Sequence, residues 1–111
     1  MKGLFVKHDD TELQDLGGGS VRRVLAWNEQ IMAVEMSCAA GAEVQPHKHP
    51  HTQCCYVLSG RFKYSVEGET FEVGAGDSGV VPGGAVHGLE CVEPGMLVEV
   101  FTPMRQDFLK Q

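Results

Sequence analysis

The sequence predicts an all-β protein, a closed or nearly closed double-sheet barrel of about nine short strands. Three observations lead there. Fourteen glycines and five prolines cut the 111 residues into short segments. No apolar pattern of helical period lasts more than a few turns, and where apolar residues recur they alternate, as in Arg61-Phe62-Lys63-Tyr64-Ser65-Val66. The length suits one domain over 1–111 with a modest core. The net charge of −6, with no basic cluster, argues against a nucleic-acid or anionic-membrane partner. An anionic ligand must then be drawn in by a local cation. The N-terminus lacks the apolar stretch of a secretory signal and no long apolar run follows, so a cytoplasmic protein is expected. Cys38, Cys54, Cys55 and Cys91 lack paired metal or redox spacing and read as buried thiols.

In chain order, residues 4–7 form a weak strand, and Asp15-Leu16-Gly17-Gly18-Gly19-Ser20 must be loop. The three glycines could suggest a phosphate cradle, but no strand precedes them and no helix follows, so they read as a turn. Residues 21–27 and 31–37 are strands around a turn at Asn28-Glu29-Gln30. Residues 54–59 form an apolar strand ending at Gly60, and the next hairpin turns at Glu67-Gly68. In that hairpin Phe62, Tyr64, Val66, Phe71 and Val73 face inward, with Tyr64 and Phe71 taken as core. After a short strand at 79–81, residues 85–91 and 96–101 are separate strands divided by a turn at Glu93-Pro94-Gly95. Thr102-Pro103 reads as a cap and first-turn pair for a short C-terminal helix over residues 104–109.

The chemistry is concentrated between Gly41 and Gly60. His47, His49, His51 and Gln53 share one parity, so an extended chain presents all four to the same side. That is a metal-binding pattern, and His87, beyond Pro82-Gly83-Gly84, is the best donor from elsewhere. His51 is the weaker candidate, since five ligands crowd one centre; a supporting or rim position suits it better. His8 reads as exposed. Imidazole and amide donors suit a divalent transition ion such as Ni, Fe, Zn or Mn, and being neutral they leave its charge uncompensated.

The two glycine-framed segments, Gly41-x5-His47-x-His49-x3-Gln53-x6-Gly60 and Gly76-x5-Pro82-x-Gly84-x2-His87-x3-Cys91, resemble the paired signature motifs of the cupin superfamily. Cupins more often carry Glu at the position of Gln53 and Asn at that of Cys91. A narrower resemblance is to the KdgF family of small pectin-degradation cupins. It rests on His47-x-His49-Pro50-His51-Thr52-Gln53, Tyr56-Val57, Ser59-Gly60-Arg61-Phe62, the early Asp15-Leu16-Gly17-Gly18-Gly19 and the tail Phe101-Thr102-Pro103-Met104-Arg105-Gln106-Asp107-Phe108-Leu109. This resemblance implies the cupin double-stranded β-helix and a metal held by His47, His49, Gln53 and His87. The implied activity converts 4,5-unsaturated uronates from pectin or alginate into linear keto forms. The implied catalytic positions are Glu99, where the family has Asp, and Arg105. On spacing alone Glu99 reads equally as a pocket acid or a surface carboxylate, and Arg105 as a carboxylate clamp or a helix-end cation.

Two other readings share the scaffold, a metal-dependent dioxygenase and a non-enzymatic sugar-binding cupin. The partners expected are a small acidic sugar and a second copy of the chain. Residues 96–101 carry Met96, Val98 and Val100 on one face and Leu97 and Phe101 on the other, which fits a buried homodimer interface.

Overall fold

The computed structural model describes residues 4–109. Among them run eight strands: β1 (Leu13–Gly17), β2 (Ser20–Asn28), β3 (Ile31–Cys38), β4 (Glu43–His47), β5 (Thr52–Val66), β6 (Glu69–Gly74), β7 (Ser78–Val81) and β8 (His87–Thr102). Two of them, β5 and β8, are long enough to serve two layers. The first part of β5 lies between β7 and the later part of β8, and β3, β2 and β1 extend that layer. The second part of β5 lies between β6 and the earlier part of β8, which β4 then flanks.

The layers meet where the β5–β8 register slips, between Val57 and Phe62. Gly60 and Gly95 touch there. A Cβ on Gly60 would sit 2.6 Å from the Gly95 Cα and 2.6 Å from the Pro94 carbonyl oxygen, and Gly60 also adopts φ 80°. Only a residue without a side chain permits that crossing. The pairs 54–59 and 61–66, and 85–91 and 96–101, expected as separate strands, are therefore merged into β5 and β8, with β8 beginning at His87 instead of Ala85. The bend is made by close backbone approach instead of by a turn.

Side chains from both layers fill the space between them, including Met36, Val57, Phe62, Leu89, Cys91 and Leu97. Leu97 and Val57 are fully buried, each worth about 1.5–3 kcal/mol relative to exposure. A smaller cluster, Met32, Val34 and Phe101, receives Met104, Phe108 and Leu109 of the tail.

Several expectations are corrected. Residues 4–7 lie in no strand, for want of a neighbouring partner, and Phe5 is 93% exposed. Asp15 and Gly17 belong to β1, and Gly17 pairs with Ser20, so the loop shrinks to a Gly18-Gly19 hairpin turn. Strand β4 was not foreseen, because Pro46 masks a segment that pairs with β8. Phe71 is 45% exposed, being on edge strand β6. Cys54 is exposed, while Cys38, Cys55 and Cys91 are buried. The tail holds a single 3-10 turn at Gln106–Phe108, and Thr102 ends β8 without capping it. The packing of Met104 and Phe108 on the small cluster sets the tail's path.

Candidate active site

His47 closes β4 and pairs across the sheet with His87, the first residue of β8. His49 follows on the short connection to β5, which the Pro82-Gly83-Gly84 loop holds in place. The Gly84 N–H donates to the His49 carbonyl at 2.8 Å, and the Gly83 N–H to the Thr52 hydroxyl at 3.3 Å. One ligand atom from each of His47, His49 and His87 comes within 4.8 Å of the others. Each ring has its Nδ1 against a backbone carbonyl: Gln45 at 2.9 Å, His51 at 3.1 Å and Ala85 at 2.9 Å, respectively. A carbonyl only accepts, so each Nδ1 carries the proton and each Nε2 keeps a free lone pair. The Nε2 atoms of His49 and His87 are buried without a partner. Burial also lowers the pKa of both rings, keeping them neutral.

Gln53, 3% exposed, lies beside this cluster. Its Nε2 donates to Glu99 Oε2 at 2.7 Å and to the Tyr64 hydroxyl at 2.8 Å. Its Oε1 is buried with no partner, and its side chain lies close enough to the His49 ring to act on its pKa. Unsatisfied buried acceptors are rare enough to require a reason. These neutral donors, oriented by carbonyls and a carboxylate behind them, fit a divalent transition ion.

Glu99 is 5% exposed, facing inward between Leu97 and Phe101 on β8. Burial pushes its pKa up to about 7, against the hydrogen bonds from Tyr64 and Gln53 and the attraction of Arg105. The Tyr64 hydroxyl donates to Glu99 Oε1 at 3.1 Å, and burial raises the tyrosine's own pKa well above its usual range. Tyr64, expected as plain core, is thus a polar partner of the acid.

A cavity of about 310 Å³ is lined by His47, His87, Gln53, Glu99 and Arg105, together with Arg22 of β2. Arg105 is buried, with Nε 3.0 Å and Nη2 2.8 Å from the two oxygens of Asp107. It also lies over the Phe108 ring at 4.2 Å. His51 turns away from the triad: its Nε2 is 3.2 Å from the Met104 carbonyl, pinning the tail. The connection between β4 and β5 is not extended, so shared parity does not carry His51 to the centre. Exposed His8 lies 2.9 Å from Glu35. Sequence reasoning missed Tyr64 and Arg22 as site residues. The signal for both was parity, since each lies on an inward register, but an aromatic there reads as core and an arginine as surface.

Fold and histidine cluster together define a class: the chain belongs to the cupin family, whose domain model matches residues 34–101. Within that class the chain is similar to the pectin degradation protein KdgF of Dickeya dadantii (strain 3937), with 37% identity over 98% of this chain and all of the relative. The structure of KdgF from Halomonas sp. superposes with a TM-score of 0.89 at 33% identity, covering 98% of this chain and 100% of that one. An RmlC-like cupin from Shewanella frigidimarina NCIMB 400 gives 0.91 at 40% identity, with 95% of each chain covered.

Proposed function

We propose that the chain opens 4,5-unsaturated uronates, the acidic sugars left by lyase cleavage of pectin or alginate, into their linear keto forms. The observation that carries this is one cavity lined by the buried acid Glu99, by Arg22 and Arg105, and by His47 and His87 of the three-histidine cluster. The relation to KdgF supports the choice of substrate.

His47, His49, His87 and Gln53 would hold a divalent transition ion, which supplies Lewis-acid polarisation of a sugar oxygen. In the reaction Glu99 accepts the proton of the C1 hydroxyl as the bond between C1 and the ring oxygen breaks, leaving an aldehyde at C1 and an enolate on the former ring oxygen at C5. Return of that proton from Glu99 to C4 then gives the C5 ketone, so the whole is an isomerisation with no co-reactant. Tyr64 and Gln53 hold the Glu99 carboxyl in place through both steps. Arg105, paired with Asp107 on the cavity wall, adds a cationic group to the side from which the acidic sugar enters. Both substrate and product are small, and no helix among the described residues is long and apolar enough to cross a membrane.

We also propose that the chain works as a homodimer in the cytoplasm. The outer face of the layer built on β8 supports the pairing, because Cys54, Tyr56 and Val80 are exposed there beside Val98 and Val100.

The test is to add the protein to lyase-generated unsaturated galacturonate and follow the conjugated-alkene absorbance. Acceleration is expected, with loss of activity after chelator treatment and recovery on adding back a divalent transition metal. Elemental analysis should find near one equivalent in the wild type and less than about a tenth of that in His87→Ala. No acceleration with any metal overturns the proposal.

A further inference from the structure

We propose that Arg22 is the principal anchor for the substrate carboxylate, a role that neither the signature motifs nor the tail motif assigns. The inference rests on the uronate reading above and deepens it.

Arg22 lies on β2 opposite Met36, on the register that faces the cavity. Its guanidinium is fixed on two sides. Nε donates to Gln14 Oε1 at 2.7 Å, and the Phe108 ring lies 3.8 Å from the guanidinium carbon. Gln14 in turn donates through Nε2 to the Phe108 carbonyl at 3.2 Å, closing a ring of contacts through β1, β2 and the tail. The terminal nitrogens, Nη1 and Nη2, have no hydrogen-bond partner among the described residues. They are the planar fork that a carboxylate fits.

The local charge count points the same way. Arg22 and Arg105 share the Phe108 ring, and the carboxylate between them is Asp107. Asp107 gives both oxygens to Arg105 and attracts Arg22 only at a distance. The two carboxyls near the pair, Asp107 and Glu99, both act on Arg105, and among the described residues no ion pair is made to Arg22. A half-buried cation with open donors is costly unless an anion completes it. Arg105, its Nε and Nη2 already engaged, is the lesser grip and not the free clamp expected from the sequence. A purely structural arginine would need only the stacking on Phe108 and the bond to Gln14. It would not need a free fork on the cavity wall.

Calorimetry on metal-loaded wild type, Arg22→Gln and Arg22→Lys tests this with galacturonate, a saturated acid that cannot react, and with its uncharged methyl ester. Arg22→Gln is expected to weaken galacturonate binding by about 10- to 100-fold and ester binding by less than about 3-fold. Arg22→Lys, keeping a cation over Phe108, should recover part of the loss. In turnover of the unsaturated uronate the same variants should raise KM with kcat little changed. Unchanged galacturonate affinity in the folded variants overturns the proposal. So does an equal loss for acid and ester, which marks a structural role. Should Arg22→Gln not fold, Arg22→Lys decides by the same criteria, because loss of the fork alone should cost about 3-fold or more. If wild type fails to turn over unsaturated uronates yet Arg22→Gln loses galacturonate selectively, the uronate-opening reading falls and the anchor stands.

Discussion

Glu99 is held by donors on both of its oxygens, Gln53 on Oε2 and Tyr64 on Oε1. That arrangement explains how a glutamate can stand where the KdgF motif has aspartate: the carboxylate position is set by its partners, and the extra methylene spans the distance to them. Glu99→Gln keeps the size and loses the transferable proton. Its kcat should fall by about 10²- to 10⁴-fold, while the variant stays folded, because relief of a buried acid offsets much of the cost of turning an amide N–H toward one of the two donors. Glu99→Asp keeps the acid but withdraws it by about 1 Å, for a loss of about 100-fold. Absorbance kinetics and calorimetric melting of both variants check this; an unchanged kcat in Glu99→Gln would remove Glu99 from the chemistry, and one in Glu99→Asp would show that the reach of the carboxyl is not limiting. The acid itself was legible through the tail motif. Its environment was not, because the contacts from Gln53 and Tyr64 join three distant segments whose meeting depends on the β5–β8 register.

At the scale of elements, the crossing of Gly60 and Gly95 lets two long strands build both layers, and so brings Gln53 and Glu99 of one layer near His87 of the other. Gly95→Ala would press a methyl group into the Gly60 Cα at 2.6 Å and into the Ser59 carbonyl. Backbone cannot yield as a side-chain tip does, so the expected loss is about 2–4 kcal/mol, or more than about 10 °C in Tm for a domain of this size. Denaturant and thermal unfolding measure it, and a loss below about 0.5 kcal/mol would mean that the crossing tolerates a side chain. The hairpin at Glu67-Gly68 and the strands β2 and β3 were readable from alternation and turn residues, because their partners are sequence neighbours. Strand β4 and the continuity of β5 and β8 were not. Their pairing is long-range, and glycine or proline that signals a turn in local reading here marks a close crossing. The same limit hid the tail, whose short 3-10 turn yields to the packing of Phe108 against Phe101 at 5.5 Å.

For the whole molecule, the inward face of β8 is committed to the core and site, through Leu97, Glu99 and Phe101, while its outward face is the one left to a partner. Val100 is paired with Ala33 on one side and Cys54 on the other, and Cys54 with Val80, so an apolar row crosses the layer. Tyr56, 48% exposed, and Val80, 66% exposed, sit at its open end. Apolar side chains aligned on a sheet face are best covered by another sheet, and a second copy offers the same row with two-fold symmetry. Light scattering at about 50 µM, a concentration well above the Kd of a stable pair, should give twice the 12.1 kDa chain mass. Tyr56→Glu combined with Val80→Asp places two charges in that row and should return the mass to one chain. Because both side chains point away from the cavity, the monomeric variant should keep its fold by circular dichroism and its metal content by elemental analysis. A wild type that is monomeric at that concentration, or a double variant that remains paired, would show that this face is not where two copies meet.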